Sequence, residues 1–205
     1  MWSFLVASVM LATPAPAEAP RLVFLGDSLT AGYGLDAREA FPALIQERIK
    51  AKGWTWTVVN AGVSGDTTAG ALRRLDRIFR RKVDVLFVCL GANDGLRGLP
   101  PETSEGNLRA IVARGKREGA QVVVAGMRLP ENYGPDYRAR FEAMYARIAR
   151  QERVPLLPFL LEDVALHPEL NQNDGIHPNA EGTRRVAGRV WSTVAPILER
   201  RQRER

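Results

Sequence analysis

The 205-residue chain suits one globular domain, and its 45% hydrophobic and 25% charged residues argue against disorder and against an integral membrane protein. The net charge of +6 raises the question of nucleic-acid binding, but the arginines cluster in one helical pattern and in a terminal tail, without interleaved aromatic side chains on which bases stack. The first cluster comprises Arg73, Arg74, Arg77, Arg80 and Arg81. We therefore expect no nucleic-acid partner and mostly solvated arginine faces, while peripheral contact with acidic lipid surfaces stays an open alternative.

The chain starts with an apolar segment that has features of a secretory signal. Residues 1–12 are too few to cross a bilayer, and the small residues Ala15 and Ala17 fit an A-x-A cleavage site. Because no lysine or arginine precedes the apolar run, an uncleaved surface anchor and a misassigned start are alternatives. We predict a signal peptide over residues 1–17, a single domain over residues 18–205, and export of the mature protein.

The first element of the domain is a short strand that ends in a serine. Residues 22–25 are apolar and include β-favouring valine and phenylalanine, and Gly26-Asp27-Ser28 then breaks the run and can open a helix. This pattern places Ser28 at the carboxyl end of a strand, where open α/β sheets bind ligands. By itself the serine fits a nucleophile, a phosphate ligand or a helix N-cap, and the N-cap is the ordinary explanation.

Helices and strands then alternate along the chain. The predicted elements are a helix over 41–50, a strand over 54–60, a helix that includes 72–79, a strand over 83–90, a helix over 101–118, a strand over 121–127, a helix over 136–150, a strand over 154–159 and a helix over 179–199. Residues 91–101 are expected to be a loop. Cys89 lies within the most apolar strand and is expected to be a core residue, because a nucleophilic cysteine needs an electropositive, partly exposed setting.

This alternation of strands and helices predicts βαβ units. The expected fold class is α/β, with three layers, a five-stranded and mostly parallel sheet, and helices on both faces. Right-handed crossovers leave few topologies, of which the flavodoxin-like order 2-1-3-4-5 is the leading candidate. In that order the first and third strands meet at the point where ligands bind.

Polar segments follow four of the five predicted strands. They are residues 26–28, 60–65, 91–94 and 173–177. In a parallel sheet these segments share one edge, so their side chains are expected to converge. This expectation is the first reason to doubt that Ser28 is only a helix cap.

The chain has two histidines that could act as the base for a serine nucleophile. His177 has Asp174 three positions earlier in a tight glycine-containing segment, so the carboxylate can bind one ring nitrogen while the other faces Ser28. His167 is expected to lie on the surface at a helix end without a catalytic role. Taken alone, residues 174–178 could equally be a turn before a helix.

Acyl transfer also needs hydrogen-bond donors for the oxyanion that develops. The candidates at the same edge are the backbone amides of Ser28 and Gly65 and the side-chain amide of Asn93. Each has a simpler explanation, because glycine and Asn-Asp-Gly sequences are common in turns. The sequence contains no metal or cofactor motif such as His-Glu-x-x-His, a cysteine pair or a phosphate-binding loop, so we expect neither a metal nor a cofactor.

Four sequence blocks resemble the signature of the GDSL, or SGNH, hydrolases. The blocks are Gly26-Asp27-Ser28-Leu29, Ser64-Gly65-Asp66-Thr67, Gly91-Ala92-Asn93-Asp94 and Asp174-Gly175-Ile176-His177-Pro178. They occur in the family's order and spacing, across essentially the whole mature chain. Residues 59–67, 93–101 and 128–134 are similar to the bacterial branch of arylesterases and multifunctional thioesterase I/lysophospholipases.

The resemblance implies a role for each converging residue. Ser28 would be the nucleophile, His177 the base and Asp174 the group that orients it, while Ser28, Gly65 and Asn93 would form the oxyanion hole. It further implies serine-dependent hydrolysis of carboxylic esters and thioesters, and a periplasmic location, which agrees with the leader.

The substrate is expected to be a small-molecule or lipid acyl ester, hydrolysed by a monomer. Leu96, Leu99, Leu129 and Tyr133 are candidates for an apolar acyl groove, although both of their loops could instead pack on their own helices. A carbohydrate acetylesterase of the same family and a non-catalytic lipid or anion carrier are the alternatives. The sequence does not specify acyl-chain length or ester versus thioester preference.

Overall fold

A parallel sheet of five strands forms the centre of the computed structural model, which describes residues 18–204. The strands are β1 (Arg21–Gly26), β2 (Thr57–Gly62), β3 (Val85–Cys89), β4 (Gln121–Ala125) and β5 (Leu156–Leu157). They lie in the order β2-β1-β3-β4-β5, and each neighbouring pair is parallel. The predicted order 2-1-3-4-5 is confirmed. The predicted signal peptide over residues 1–17 lies outside the described residues.

Eight α-helices connect and cover these strands within residues 18–204. The helices are α1 (Ser28–Ala31), α2 (Phe41–Ala51), α3 (Thr68–Arg73), α4 (Leu75–Ile78), α5 (Ala92–Leu96), α6 (Pro101–Arg117), α7 (Pro135–Glu152) and α8 (Ala180–Arg203). Helices α2 and α8 pack against each other, and α6 packs between α3 and α7. The sheet is therefore covered on both faces, as the three-layer prediction requires. None of these helices is long and apolar enough to cross a membrane.

Helix α2 illustrates how the sequence pattern fixes a helix on the sheet. Pro42 lies in its first turn, where a missing N–H leaves no hydrogen bond unmade. Phe41, Ile45 and Ile49 recur at helical spacing and are fully buried. The ring of Phe41 meets Phe24 of β1 edge to face, with the ring centroids 5.2 Å apart. Burial of each such side chain contributes about 1.5–3 kcal/mol, so packing holds α2 in place.

Strands β1 and β3 are neighbours in the sheet, and their carboxyl ends lie side by side. Gly26 at the end of β1 is in register with Cys89 at the end of β3. Cys89 is buried, and burial raises the pKa of its thiol far above the ordinary value, so it is a core residue as predicted. Residues that follow β1 and β3 consequently emerge next to each other at one edge of the sheet.

The edge strand β2 starts later than the sequence pattern predicts. The alternating pattern predicts a strand over 54–60, but the pairing with β1 begins at Thr57 opposite Arg21. Trp54 stacks on Trp191 of α8, with centroids 5.8 Å apart, and Trp56 is buried. The alternating tryptophans before the strand thus cover the core instead of extending the ladder, which explains the shift.

Strand β5 is reduced to Leu156–Leu157, shorter than the predicted 154–159. Pro155 and Pro158 flank these two residues and have no N–H to donate to the ladder. The pairing with β4 is kept because carbonyls on this segment still accept hydrogen bonds. The Val124 amide donates to the Pro155 carbonyl, and the Gly126 amide donates to the Leu157 carbonyl. The prolines therefore shorten β5 without removing it from the sheet.

Two connecting segments also differ from the sequence expectation. The helix predicted around 72–79 is divided into α3 and α4 at Arg74. The segment 91–101, expected to be a loop, contains the short helix α5, which is closed by a hydrogen bond of 2.9 Å from the Gly95 amide to the Gly91 carbonyl. Gly91 precedes it with φ of 111°, a conformation that a residue with a side chain rarely adopts.

Candidate active site

Ser28, His177 and Asp174 form a continuous hydrogen-bonded chain at the carboxyl edge of the sheet. Ser28 is the first residue of α1, directly after β1, and its Oγ lies 2.9 Å from Nε2 of His177. The other ring nitrogen, Nδ1, lies 2.7 Å from Oδ2 of Asp174. A hydroxyl, an imidazole and a carboxylate in this sequence can transfer a proton away from the serine oxygen.

The segment 174–177 is a compact turn that orients the imidazole. Oδ1 of Asp174 accepts hydrogen bonds from the backbone amides of Ile176 (2.9 Å) and His177 (3.0 Å). These backbone donors, together with the His177 side chain, lower the pKa of Asp174 to about 2, so its carboxylate is ionised at neutral pH. With Oδ1 held by the backbone, Oδ2 is directed at Nδ1 and selects the tautomer in which Nε2 can accept a proton.

Asp27, and not Ser28, is the N-cap of α1. Its Oδ1 accepts a hydrogen bond of 3.1 Å from the Leu29 amide, which is the usual capping interaction. The hydroxyl of Ser28 is therefore free to bind His177. Asp27 is only 1% exposed, and burial raises the pKa of its carboxyl to about 6. Of the alternatives that the sequence left open for Ser28, the N-cap is therefore excluded, because the neighbouring Asp27 fills that position.

Asn93 lies on α5 with its side-chain amide held beside the serine turn. Its Nδ2 donates to the Asp66 carbonyl at 3.0 Å and lies 3.5 Å from Oδ2 of Asp27, which is the limit of a hydrogen bond. An asparagine amide has two N–H groups: one donates to Asp66 and fixes the side chain, and the other has only the long contact with Asp27, which a ligand oxygen at hydrogen-bond distance can replace.

The backbone of the loop after β2 supplies a second candidate donor. Gly65 has φ of 78°, in the left-handed region that favours glycine. Its carbonyl accepts a hydrogen bond of 2.9 Å from the Arg97 side chain, which ties this loop to α5. Within residues 18–204, neither the Gly65 nor the Ser28 backbone N–H donates a hydrogen bond, so both donors are available.

Arg74 is a structural residue of the site that the sequence did not reveal. Its guanidinium forms an ion pair of 2.8 Å with Asp66 and donates to the carbonyls of Ala61 (2.8 Å) and Gly26 (3.0 Å). It thereby joins the ends of β1 and β2 to the loop that holds Asn93. The sequence predicts mostly solvated arginines in this cluster, and Arg74 is an exception, with only 21% of its side chain exposed. Its periodicity is the same as that of its exposed neighbours, so no local signal distinguishes it.

Asp94 forms a second buried cross-link behind the site. Its carboxylate accepts hydrogen bonds from the Thr68 amide (2.9 Å), the Thr68 hydroxyl (2.6 Å) and the Ser104 hydroxyl (3.3 Å). Because Thr68 begins α3 and Ser104 lies on α6, the carboxylate links three helices. Turn chemistry, the simpler explanation offered for Asn93-Asp94-Gly95, does not describe this residue.

The four residues predicted to line an acyl groove occupy different environments. Leu99 is 38% exposed and Leu96 is half-buried, whereas Leu129 is only 4% exposed and packs over Gly95. The hydroxyl of Tyr133 donates to the Leu96 carbonyl at 2.8 Å, so the two predicted loops are in contact. The surface available to a substrate on this side is therefore formed by Leu96 and Leu99, with Leu129 beneath them.

The second histidine lies apart from this chain of contacts. His167 is exposed, and its Nδ1 is 3.2 Å from a carboxylate oxygen of Glu169. In the part of the chain that the structure describes, no three histidine, cysteine or carboxylate side chains converge as a metal site would require.

Comparison with known proteins gives the family of the chain. The model of the GDSL-like lipase/acylhydrolase family matches residues 24–185, which include Ser28, Gly65, Asn93, Asp174 and His177. The chain belongs to this family. Its GDSL relatives include esterase TesA of Pseudomonas aeruginosa, which is 41% identical over 194 residues, covering 94% of this chain and 96% of that protein.

Two further similarities agree with the GDSL assignment. Thioesterase 1/protease 1/lysophospholipase L1 of Escherichia coli K12 is 39% identical over 198 residues, which cover 96% of this chain and 94% of that protein. A crystal structure of TesA superposes with a TM-score of 0.84 at 40% identity and covers 86% of this chain and 99% of the other. The family and branch expected from the signature blocks are thus confirmed, and so is the fold.

Proposed function

We propose that this chain hydrolyses carboxylic esters and thioesters with apolar acyl chains through an acyl-enzyme formed on Ser28. Ester hydrolysis follows from membership of the GDSL family and from relatives named as esterase and as thioesterase/lysophospholipase. The observation that carries the assignment of residues is the 2.9 Å contact between Ser28 Oγ and His177 Nε2, extended by the 2.7 Å contact to Asp174.

In the acylation step, His177 removes the proton from Ser28 as Oγ attacks the substrate carbonyl. The carbonyl oxygen becomes an oxyanion and is bound by the amides of Ser28 and Gly65 and by the Asn93 N–H that otherwise has only the long contact with Asp27. When the tetrahedral intermediate collapses, the bond to the leaving alcohol or thiol breaks, and His177 returns the proton to the departing oxygen or sulfur. The products of this step are an ester on Ser28 and a free alcohol or thiol.

In the deacylation step, water takes the place of the leaving group. His177 removes a proton from water, the resulting hydroxide attacks the acyl carbonyl, and the carboxylic acid leaves as the proton returns to Ser28 Oγ. Asp174, ionised because the backbone donors keep its pKa near 2, stabilises the imidazolium that forms in both steps. Ser28 is restored without a metal or cofactor.

The acyl chain is proposed to lie along Leu96 and Leu99, on α5 and the loop after it. Gly98 in this loop has φ of 66°, so the loop depends on glycine at a point where it turns. Tyr133 and Tyr137 hold it through hydrogen bonds to the carbonyls of Leu96 and Leu99. Because this apolar surface is open to solvent at Leu99, acyl chains of several lengths can lie along it. We therefore expect broad acyl specificity.

The test is a chain-length series of p-nitrophenyl esters, acyl-CoA and lysophospholipid on the purified protein. We expect turnover that Ser28→Ala abolishes, while the Ser192→Ala control, an exposed serine on α8, keeps parental activity. Turnover that persists in Ser28→Ala would refute the assignment. A sharp preference for acetylated sugars over fatty acyl esters would favour a carbohydrate acetylesterase instead, and no turnover at all would favour a carrier.

We also propose that the protein acts as a monomer in the periplasm or outside the cell, after removal of residues 1–17. The apolar start and the small residues Ala15 and Ala17 support export and removal of the leader. Expression of the full chain followed by fractionation and intact-mass measurement tests it. A mature chain that starts at residue 18 in the exported fraction is expected, and a full-length chain confined to the cytoplasm would contradict export.

A further inference from the structure

Two exposed apolar residues adjoin His177, Tyr33 through a ring contact and Ile176 as its neighbour in the chain. The Tyr33 ring centroid is 4.7 Å from the His177 ring centroid, with the planes inclined by 41°, yet Tyr33 is 53% exposed. Ile176 directly precedes His177 and is 49% exposed. Large hydrophobic side chains are otherwise buried in most of the described chain, and two of the few exceptions flank the catalytic base. An exposed apolar surface at such a place indicates a binding site.

The position of Tyr33 is fixed although its ring is exposed. Its amide donates to the Ser28 carbonyl at 3.1 Å, and its own carbonyl accepts a hydrogen bond of 2.7 Å from the side chain of Gln172. The side chain of Gln172 also donates to the Pro178 carbonyl at 3.0 Å, and its backbone N–H donates to the His177 carbonyl at 2.7 Å. The backbone of Tyr33 is thus bound both to the serine turn and to the histidine loop, so the ring is presented at a defined place beside the base.

The proton transfer in acylation determines what occupies this place. His177 Nε2 must give its proton to the departing atom of the substrate, so that atom lies within about 3 Å of Nε2 in the reactive complex. The group attached to it extends from the imidazole toward solvent. The other two substituents of the same carbonyl carbon face different residues. Its oxygen faces the oxyanion donors of Gly65 and Asn93, and its acyl chain lies along the surface at Leu99. The faces of Tyr33 and Ile176 remain for the leaving group.

We infer that Tyr33 and Ile176 form a subsite for the alcohol or thiol portion of the substrate, with a preference for aryl and other flat apolar leaving groups. This inference rests on the proposed acyl-enzyme mechanism and specifies the second half of its substrate. An aromatic leaving group can stack on the Tyr33 ring and contact Ile176, whereas a methyl or ethyl group reaches neither. The subsite acts in acylation and contributes nothing to deacylation, because the leaving group has then departed.

The experiment compares kcat/KM for phenyl and methyl esters of one acyl group, butanoate, in the parent, Tyr33→Ala and Tyr33→Phe. We expect the phenyl-to-methyl ratio, corrected for the intrinsic reactivity of each ester with hydroxide, to fall about tenfold in Tyr33→Ala and to stay within about twofold of the parent in Tyr33→Phe. Ile176→Ala should lower the ratio in the same direction by about threefold. The Phe variant is the matched control because it keeps the ring.

A second measurement compares two acyl acceptors, first in the parent protein and then in Tyr33→Ala. By microscopic reversibility, an alcohol that accepts the acyl group binds in the leaving-group subsite. We expect benzyl alcohol to capture the butanoyl-enzyme at about tenfold lower concentration than ethanol, and we expect Tyr33→Ala to remove this advantage. Equal capture by the two alcohols in the parent would overturn the inference.

Other outcomes separate this inference from the proposed function. If Tyr33→Ala lowers kcat/KM for phenyl and methyl esters by the same factor, Tyr33 only positions His177 and the subsite is refuted. If Tyr33→Ala changes neither kcat/KM value, the ring does not contact the leaving group and the subsite is again refuted. Loss of the mechanism itself would be seen differently, as turnover that does not depend on Ser28.

Discussion

Replacement of the buried cap residue, Asp27→Asn, tests the electrostatics of the carboxyl that lies beside Ser28. Asp27 is 1% exposed, and burial raises its pKa from 3.8 to about 6. A group whose pKa is higher in the folded state than in the unfolded state stabilises the fold while it is protonated, and this contribution is lost as the pH rises through the folded-state value. Between about pH 4 and pH 7, ionisation of Asp27 therefore lowers the free energy of unfolding.

The size of the effect follows from the shift of the pKa. A rise from 3.8 to about 6 is roughly two pKa units, and each unit corresponds to about 1.4 kcal/mol. The parent should thus lose about 2–3 kcal/mol from this one group between about pH 4 and pH 7. Asparagine retains the cap, because its side-chain oxygen can accept the hydrogen bond from Leu29, and it has no charge to bury. The free energy of unfolding of Asp27→Asn, relative to that of the parent, should therefore rise by the same amount between about pH 4 and pH 7.

The assay is urea unfolding of both proteins at several pH values, because urea does not add ionic strength. Taking the difference in the free energy of unfolding between variant and parent cancels the contributions of the other titrating groups. One of them is Asp174, whose lowered pKa has the opposite effect on stability. The exposed Asp136→Asn variant is the control for loss of one negative charge. A difference that stays constant within about 0.5 kcal/mol from about pH 4 to pH 7 would refute the account of Asp27.

Three further substitutions test other parts of the site. Asn93→Ala should lower kcat about 10²–10³-fold in a folded protein, and parental activity would remove this residue from the oxyanion hole. Arg74→Met leaves its carboxylate partner largely buried and unpaired, so urea unfolding should show a loss of about 3 kcal/mol, whereas the exposed neighbour Arg73→Met should change stability by less than about 0.5 kcal/mol. In Gly91→Ala the new residue must hold φ of 111°, and its Cβ would meet the Tyr145 hydroxyl. We expect the free energy of unfolding to fall by at least about 2 kcal/mol, with a lower urea midpoint. An unchanged midpoint would show that the turn tolerates a side chain.

Strand order and the converging residues could be predicted because they depend on patterns local to the sequence. Each buried strand is a short apolar run that ends in glycine or a polar residue, and parallel pairing then places those ends at one edge. With that edge fixed, the scarcity of histidine makes His177 the candidate partner of Ser28, and the turn at Asp174 is encoded within four residues. The same locality explains why Cys89 could be placed in the core.

The features that sequence patterns did not predict are contacts between distant segments. Arg74 binds the Gly26 carbonyl, 48 positions earlier, and nothing in its own helix distinguishes it from a solvated arginine. The capping role of Asp27 depends on which of two adjacent side chains turns back to the Leu29 amide. Element ends also depend on partners, since β2 begins only where Arg21 of β1 is available to pair with Thr57.

The most direct test of the acyl-enzyme on Ser28 is rapid quenching of the protein with a p-nitrophenyl ester, followed by intact-mass and peptide analysis. The account predicts a mass increase equal to one acyl group, located on the peptide that contains Ser28, appearing with the first equivalent of p-nitrophenol. The Ser28→Ala variant should show neither the adduct nor the early release. An acyl group on another residue, or full turnover by Ser28→Ala, would contradict the central claim.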